Sequence, residues 1–212
     1  MQHTTHTFQC HCGQLQGSLS SRSLVHLACY CRDCQTYAHV MGDPSRVLDP
    51  LGGTEVVTTL QQHLSFTKGQ EHLRCLSLSE QGLLRWYAGC CDTPIANTAR
   101  DPKLSFVSLL HTGLGVAGGA LEAKLGTKRV TVNPKHARRR VAYSALGAVS
   151  ATVRIVASVM RARLDGSWQR SPFFRTGSAE PVAVPRVPGA AERERAAKTL
   201  DAAIQASRHM LS

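Results

Sequence analysis

Apolar and polar positions alternate in short runs over the first half of the chain. Thr54 to Leu60 (TEVVTTL) is rich in β-branched residues and follows a turn signal at Gly52 and Gly53. His63 to Thr67 alternates and stops at Lys68-Gly69, Leu73 to Leu78 alternates again, and Gly82 opens a run from Leu83 to Tyr87. Leu104 to Leu110 is a further apolar run. Strand-length runs with regular glycine punctuation predict an antiparallel sheet and a mainly β fold.

The period changes in the second half. Ala142, Leu146, Val149, Val153, Val156, Met160 and Leu164 recur in steps of three and four, which is one apolar stripe on a helix. Ser144, Ser150, Arg154, Ser158 and Arg161 occupy its opposite face, and Asp165-Gly166 is a stop signal. Before this helix, the Gly- and Ala-rich stretch from Gly113 to Ala120 predicts a hinge or loop. After it, Pro172, Pro181, Pro185 and Pro188 mark a connection to a last helix over Ala190 to Met210. The chain thus divides into a β domain over residues 1–112 and a partly helical C-terminal extension over 113–212.

Charge follows the same division. Of the 212 residues, those up to Ala99 carry 6 Lys and Arg against 7 acids, and those from Arg100 onward carry 19 against 7. The net charge of +11 therefore belongs to the extension, while all eight cysteines belong to the β domain. No stretch reaches about 18 uncharged apolar residues; the nearest, Val141 to Met160, carries Arg154 in its middle. The polar start, Met1 to Cys10, has neither the basic nor the apolar region of a secretory signal. A cytoplasmic, reducing location is the expectation, where closely spaced cysteines are metal ligands more often than disulfides.

The cysteines fall into Cys10-His11-Cys12-Gly13, Cys29-Tyr30-Cys31-Arg32-Asp33-Cys34, the pair Cys90-Cys91 before Asp92-Thr93-Pro94, and a lone Cys75. In extended backbone residues i and i+2 point the same way, so Cys10 and Cys12 can face one ion. Cys29, Cys31 and Cys34 offer three thiolates within six residues, a set that suits zinc. The fourth ligand decides the role: a protein group closes the site, whereas water or a substrate thiol leaves it open for chemistry. Cys75, alone in a strand, reads as a buried small apolar residue. A thiol redox sensor built on Cys90 and Cys91 beside Cys75 is a further reading. The ten histidines, His3 and His209 included, show no ligand spacing among themselves.

Cys10-His-Cys12-Gly13, then Cys29-Tyr-Cys31-Arg-Asp-Cys34, then Cys91-Asp92-Thr93-Pro94-Ile95 resembles the glutathione-dependent formaldehyde-activating enzyme family, which includes the centromere protein V domain. The wording RWYAGCCDTPIANT is similar to a poorly characterised branch of it. The likeness covers residues 8 to 112, and it implies a tent-like, all-β zinc domain. It also implies an open, catalytic zinc on Cys29, Cys31 and Cys34, and a closed zinc on Cys10, Cys12, Cys91 and a residue three positions before Cys91. That position holds Ala88. Two outcomes follow: Cys90 substitutes and the protein holds two zincs, or only one zinc is bound. Adjacent side chains diverge in a strand, so Cys90 and Cys91 can share an ion only in a sharp turn.

The chemistry the resemblance implies is that of a carbon–sulfur lyase, an S-(hydroxymethyl)glutathione synthase-like addition of a small-molecule thiol to formaldehyde or a related aldehyde. No general base is evident: Asp33 reads equally as a solvated turn residue, and Arg32 and Arg85 as surface residues or as carboxylate partners for the thiol. The alternative function is a non-catalytic zinc module whose basic extension binds a partner, nucleic acid or an anionic membrane surface. For that extension, with Arg138-Arg139-Arg140 ahead of the helix, the reading adopted is structural: the apolar stripe packs on the β domain and the charges face water. The pattern assigns no oligomeric state.

Overall fold

The computed structural model describes residues 4–22, 24–115, 121–125 and 127–209. His3, Met210 and residues 116–120 of the expected hinge lie outside them. Strands β1 (Thr5–Gln9) and β2 (Gln16–Ser20) form a hairpin. With β5 (Leu64–Lys68) added beside β2, they make a three-stranded antiparallel sheet. The larger sheet is built on β3 (Val25–Cys29), β4 (Thr54–Leu60), β6 (Leu73–Leu76), β7 (Leu84–Ala88), β8 (Thr93–Thr98) and β9 (Phe106–Leu110), in the order β3-β4-β9-β8-β7-β6. All its neighbouring pairs are antiparallel. The fold is mainly β, as the alternation predicts.

Two further strands come from beyond residue 112. β10 (Val130–Val132) runs parallel to β3, and β11 (Pro185–Arg186) runs parallel to β6. They extend the large sheet to eight strands and make it mixed. Parallel neighbours need long crossovers, which is why local turn signals do not announce them. Arg129, just before β10, reaches the buried Glu55 of β4 at 3.4 Å, and His26 Nδ1 meets the Thr127 carbonyl at 3.3 Å.

The main core lies between the two sheets. Phe8, Phe66, Phe173 and Trp86 form a chain of ring contacts, with centroids 5.7, 5.6 and 5.1 Å apart in turn. Phe173 also comes from beyond residue 112 and is fully buried. Every residue of β4 is buried, Val57 in this main core and Val56 in a second cluster with Ala38, Val47 and Leu110. Coverage on both faces explains the continuous β-branched run.

Helices α1 (Arg32–Val40) and α2 (Pro44–Val47) follow β3, and α3 (Leu121–Leu125) precedes β10. Helices α4 (Ala145–Leu164) and α5 (Ala190–His209) stand where the periodicity places them. The Ser144 hydroxyl caps α4 by accepting from the Gly147 amide, and Gly166 in the left-handed region ends it. α5 lies on α1, with Ala196 and Leu200 buried and Arg32 paired to Asp201 at 3.0 Å.

The packing of α4 corrects the sequence reading. Ala151, Val159 and Ala162 are the buried residues, and Val159 and Ala162, with Ile155, pack against Leu60 and Phe106. The predicted stripe points the other way: Leu146 and Leu164 are each 84% exposed, and Val149, Val153, Val156 and Met160 are exposed as well. Arg154 turns inward enough to donate to the Leu24 carbonyl at 3.3 Å. By length and composition α4 could also cross a membrane, and only 17% of its most apolar stretch is buried. Its single mid-helix arginine does not remove it from that class, contrary to the reading that no stretch qualifies.

Candidate metal centres

The first cluster sits where β3 passes into α1. Cys29 ends the strand, Cys31 is the residue capping the helix, and Cys34 lies in its first turn. Cys31 keeps extended backbone (φ −63°, ψ 151°), and its sulfur accepts from the Cys34 amide at 3.4 Å. A Cys-x-x-Cys step at a helix start needs this geometry, because the strand-like cap turns its side chain back over the first helical turn. The three sulfurs lie within 4.8 Å of one another. Among the described residues no other His, Cys, Asp or Glu ligand atom joins the group. Asp33 is exposed in the first turn of α1, where its charge favours the helix end.

Gln35, fully buried, fixes the approach to this cluster by donating to the carbonyls of Tyr30 and His136 at 2.9 and 3.0 Å. Two more groups meet the sulfurs. Asn133, just after β10, donates to Cys29 Sγ at 3.6 Å. Arg85 on β7 is only 2% exposed, with its guanidinium 4.0 Å from Cys34 Sγ, 3.5 Å from Asn97 Oδ1 and 5.0 Å above the Tyr37 ring. None of these neighbours is a carboxylate. Arg85 is therefore not a surface residue but a buried cation facing thiols, and Arg32 is an exposed helix residue paired to Asp201. Three thiolates around a divalent ion leave one negative charge, which a single arginine balances.

Without metal the charge is unevenly shared. Hydrogen bonds from the Cys31 and Cys34 thiols hold Cys29 well below the usual thiol range. Donation to Cys29 in turn pushes Cys31 and Cys34 up, and burial adds to the rise at Cys34. The hydrogen bonding thus favours the thiolate at Cys29 and the thiol form at Cys31 and Cys34.

The second cluster joins distant parts of the chain. Cys10 is buried at the end of β1, and the tight turn that follows, with Gly13 at φ +72°, returns the Leu15 amide to Cys10 Sγ at 3.3 Å. Cys90 and Cys91 lie in the turn between β7 and β8, where the Cys91 amide donates to the Ala88 carbonyl and Asp92 has φ 52°. This is the sharp turn that two adjacent ligands require. The sulfur separations are 3.5 Å for Cys10–Cys12, 3.7 Å for Cys10–Cys90, 3.3 Å for Cys12–Cys90 and 3.9 Å for Cys90–Cys91. Tetrahedral zinc with bonds of about 2.3 Å sets its sulfurs about 3.8 Å apart, so the four thiols fit such an ion. Burial opposes ionisation of Cys91, but hydrogen bonds from Thr93 and Cys12 outweigh it and lower its pKa to about 6. Ala88, the expected ligand position, ends β7 fully buried.

Each of the two groups could hold a metal ion, and zinc suits both sulfur sets. A family model described as Family of unknown function (DUF6151) matches residues 3–184. The chain belongs to that family. No curated protein matches it. The DUF6151 match takes in both cysteine groups, Arg85 and Asn133, and it runs on through β10 and α4 to Phe173.

Cys75 stands apart from both clusters. It faces the core on β6, opposite Trp86, and burial pushes its thiol up to about 12. It is not one of the thiols gathered at Cys90 and Cys91, so a redox unit of those three has no geometric basis. Beside the second cluster, a cleft of about 840 Å³ runs past Cys10 and Cys91 to Val47, Leu48, Pro94 and His111. Asn133 went unnamed in the sequence reading, and Arg85 was named there only as a surface residue or carboxylate partner, not as a neighbour of the sulfurs; an arginine inside an apolar strand pattern was the available signal for its burial.

Proposed function

We propose that this DUF6151 protein is a zinc-dependent carbon–sulfur lyase-like enzyme acting at Cys29, Cys31 and Cys34. The substrates would be a small thiol such as glutathione and formaldehyde or a related aldehyde. The observation that carries this reading is a three-sulfur group with no fourth protein ligand among the described residues. The second group, with four sulfurs, is the closed counterpart. The resemblance to the glutathione-dependent formaldehyde-activating family supplies the reaction class.

Zinc bound there would favour the thiolate form of a substrate thiol and polarise a carbonyl oxygen. In the addition, the thiol sulfur forms a bond to the aldehyde carbon and the thiol proton ends on the former carbonyl oxygen. The chain's own residues prepare this step. Asn133 and the Cys34 amide donate to sulfurs and fix their lone pairs. Arg85 offsets the negative charge that three thiolates bring to a buried place.

The test is zinc content per chain together with thiol–formaldehyde addition, on wild type and on Cys31→Ser. The expected result is loss of one zinc equivalent and of the activity. A Cys31→Ser protein that keeps full activity in a pure preparation would overturn the assignment.

A further inference from the structure

The outward face of α4 gathers most of the exposed apolar surface among the described residues. Of eleven exposed large apolar side chains, six are on this helix and Tyr143 directly precedes it. A contiguous apolar stripe along a helix of about 30 Å is the kind of patch that marks an interaction site.

Charge identifies the occupant. Between Glu122 and Asp165 the chain has ten Lys and Arg and no acid. Arg139 and Arg140 are exposed just before the helix, and Arg161 and Arg163 are exposed in its last turn. A second copy packed by two-fold symmetry with antiparallel α4 helices would set Arg161 and Arg163 against Arg139 and Arg140, like charge on like. Nucleic acid would satisfy the arginines but offers nothing to an aliphatic stripe whose exposed apolar residues on the helix include no aromatic ring for stacking. An anionic lipid surface supplies both a hydrocarbon boundary for the stripe and phosphates for the arginines.

We propose that α4 docks the protein on an anionic lipid surface, lying flat with Leu146, Val153 and Met160 in the headgroup boundary and its flanking arginines on lipid phosphates. The helix lies on the bilayer and does not cross it. Its inner face is already packed on β4 and β9 through Ile155, Val159 and Ala162, and a crossing would carry Arg154 off the Leu24 carbonyl into hydrocarbon.

The experiment is sedimentation of the full-length protein with phosphatidylcholine vesicles, with and without phosphatidylglycerol. It compares wild type with V149D/V156D, two exposed positions whose change leaves the core intact. Expected are binding to the anionic vesicles only, release at high salt, and a loss of about tenfold or more in the variant. Several results would overturn the proposal: no binding, equal binding to neutral vesicles, an unaffected variant, or wild type that resists high salt and carbonate as an inserted span does. So would a wild-type dimer in sedimentation velocity that the variant dissolves, because the face would then be covered by a second copy.

Discussion

At the residue scale, Arg85 is the group whose charge needs an answer. A guanidinium that is 2% exposed cannot draw its stabilisation from water, and the groups within its reach are Asn97 Oδ1 and Cys34 Sγ, which becomes anionic when it binds a metal ion. Arg85→Leu is expected to weaken zinc binding at the triple cluster by about 10- to 100-fold, as loss of an outer partner does, while the four-cysteine cluster keeps its metal. Chelator competition followed by metal analysis checks this, with Arg85→Lys intermediate because the point charge survives. The same cluster sets a pH dependence. Hydrogen bonding within the trio lowers the pKa of Cys29 and raises those of Cys31 and Cys34, which favours one thiolate and two thiols. Loading the site should then release about two protons, so affinity rises as pH rises, by about a hundredfold per unit below those raised values. Calorimetry in buffers of differing ionisation enthalpy counts the protons. The sequence showed the sulfurs through their spacing, but not this arginine, since its burial depends on Tyr37 and Cys34 meeting β7 across the fold.

At the element scale, alternation marked five strands close to their observed places: β4, β5, β6, β7 and β9. β10 and β11 were missed because two or three residues carry no readable period. α1 was missed because its polar-rich sequence, RDCQTYAHV, reads as a turn between cysteines. For α4 the periodicity found the faces but not which one packs, since Ala151, Ile155, Val159 and Ala162 form a second, smaller stripe. Turns decide the second cluster. Gly69, at φ +70° between β5 and β6, abuts the Gln14 carbonyl in the Cys10–Leu15 turn, where a Cβ would collide. Gly69→Ala is expected to cost about 1–3 kcal/mol and to loosen metal at Cys10 and Cys12, measured by denaturant unfolding with and without zinc.

At the scale of the whole molecule, the two clusters close loops of different length. Cys29 to Cys34 is one local segment, whereas Cys10 and Cys90 are 80 positions apart and tie the three-stranded sheet to the large one. If a bound ion acts as a cross-link, loop-closure entropy gives about 2 kcal/mol for the first and about 4–5 kcal/mol for the second. Metal removal should therefore lower Tm chiefly through the four-cysteine cluster. Cys90→Ser is expected to reproduce most of the chelator's effect on Tm, and Cys31→Ser only a small part of it, in thermal unfolding under reducing conditions. The opposite ranking would mean that the triple cluster, not its partner, holds the fold together. In that case its three sulfurs would be a structural clasp, and the open coordination on which the proposed chemistry rests would lose its support.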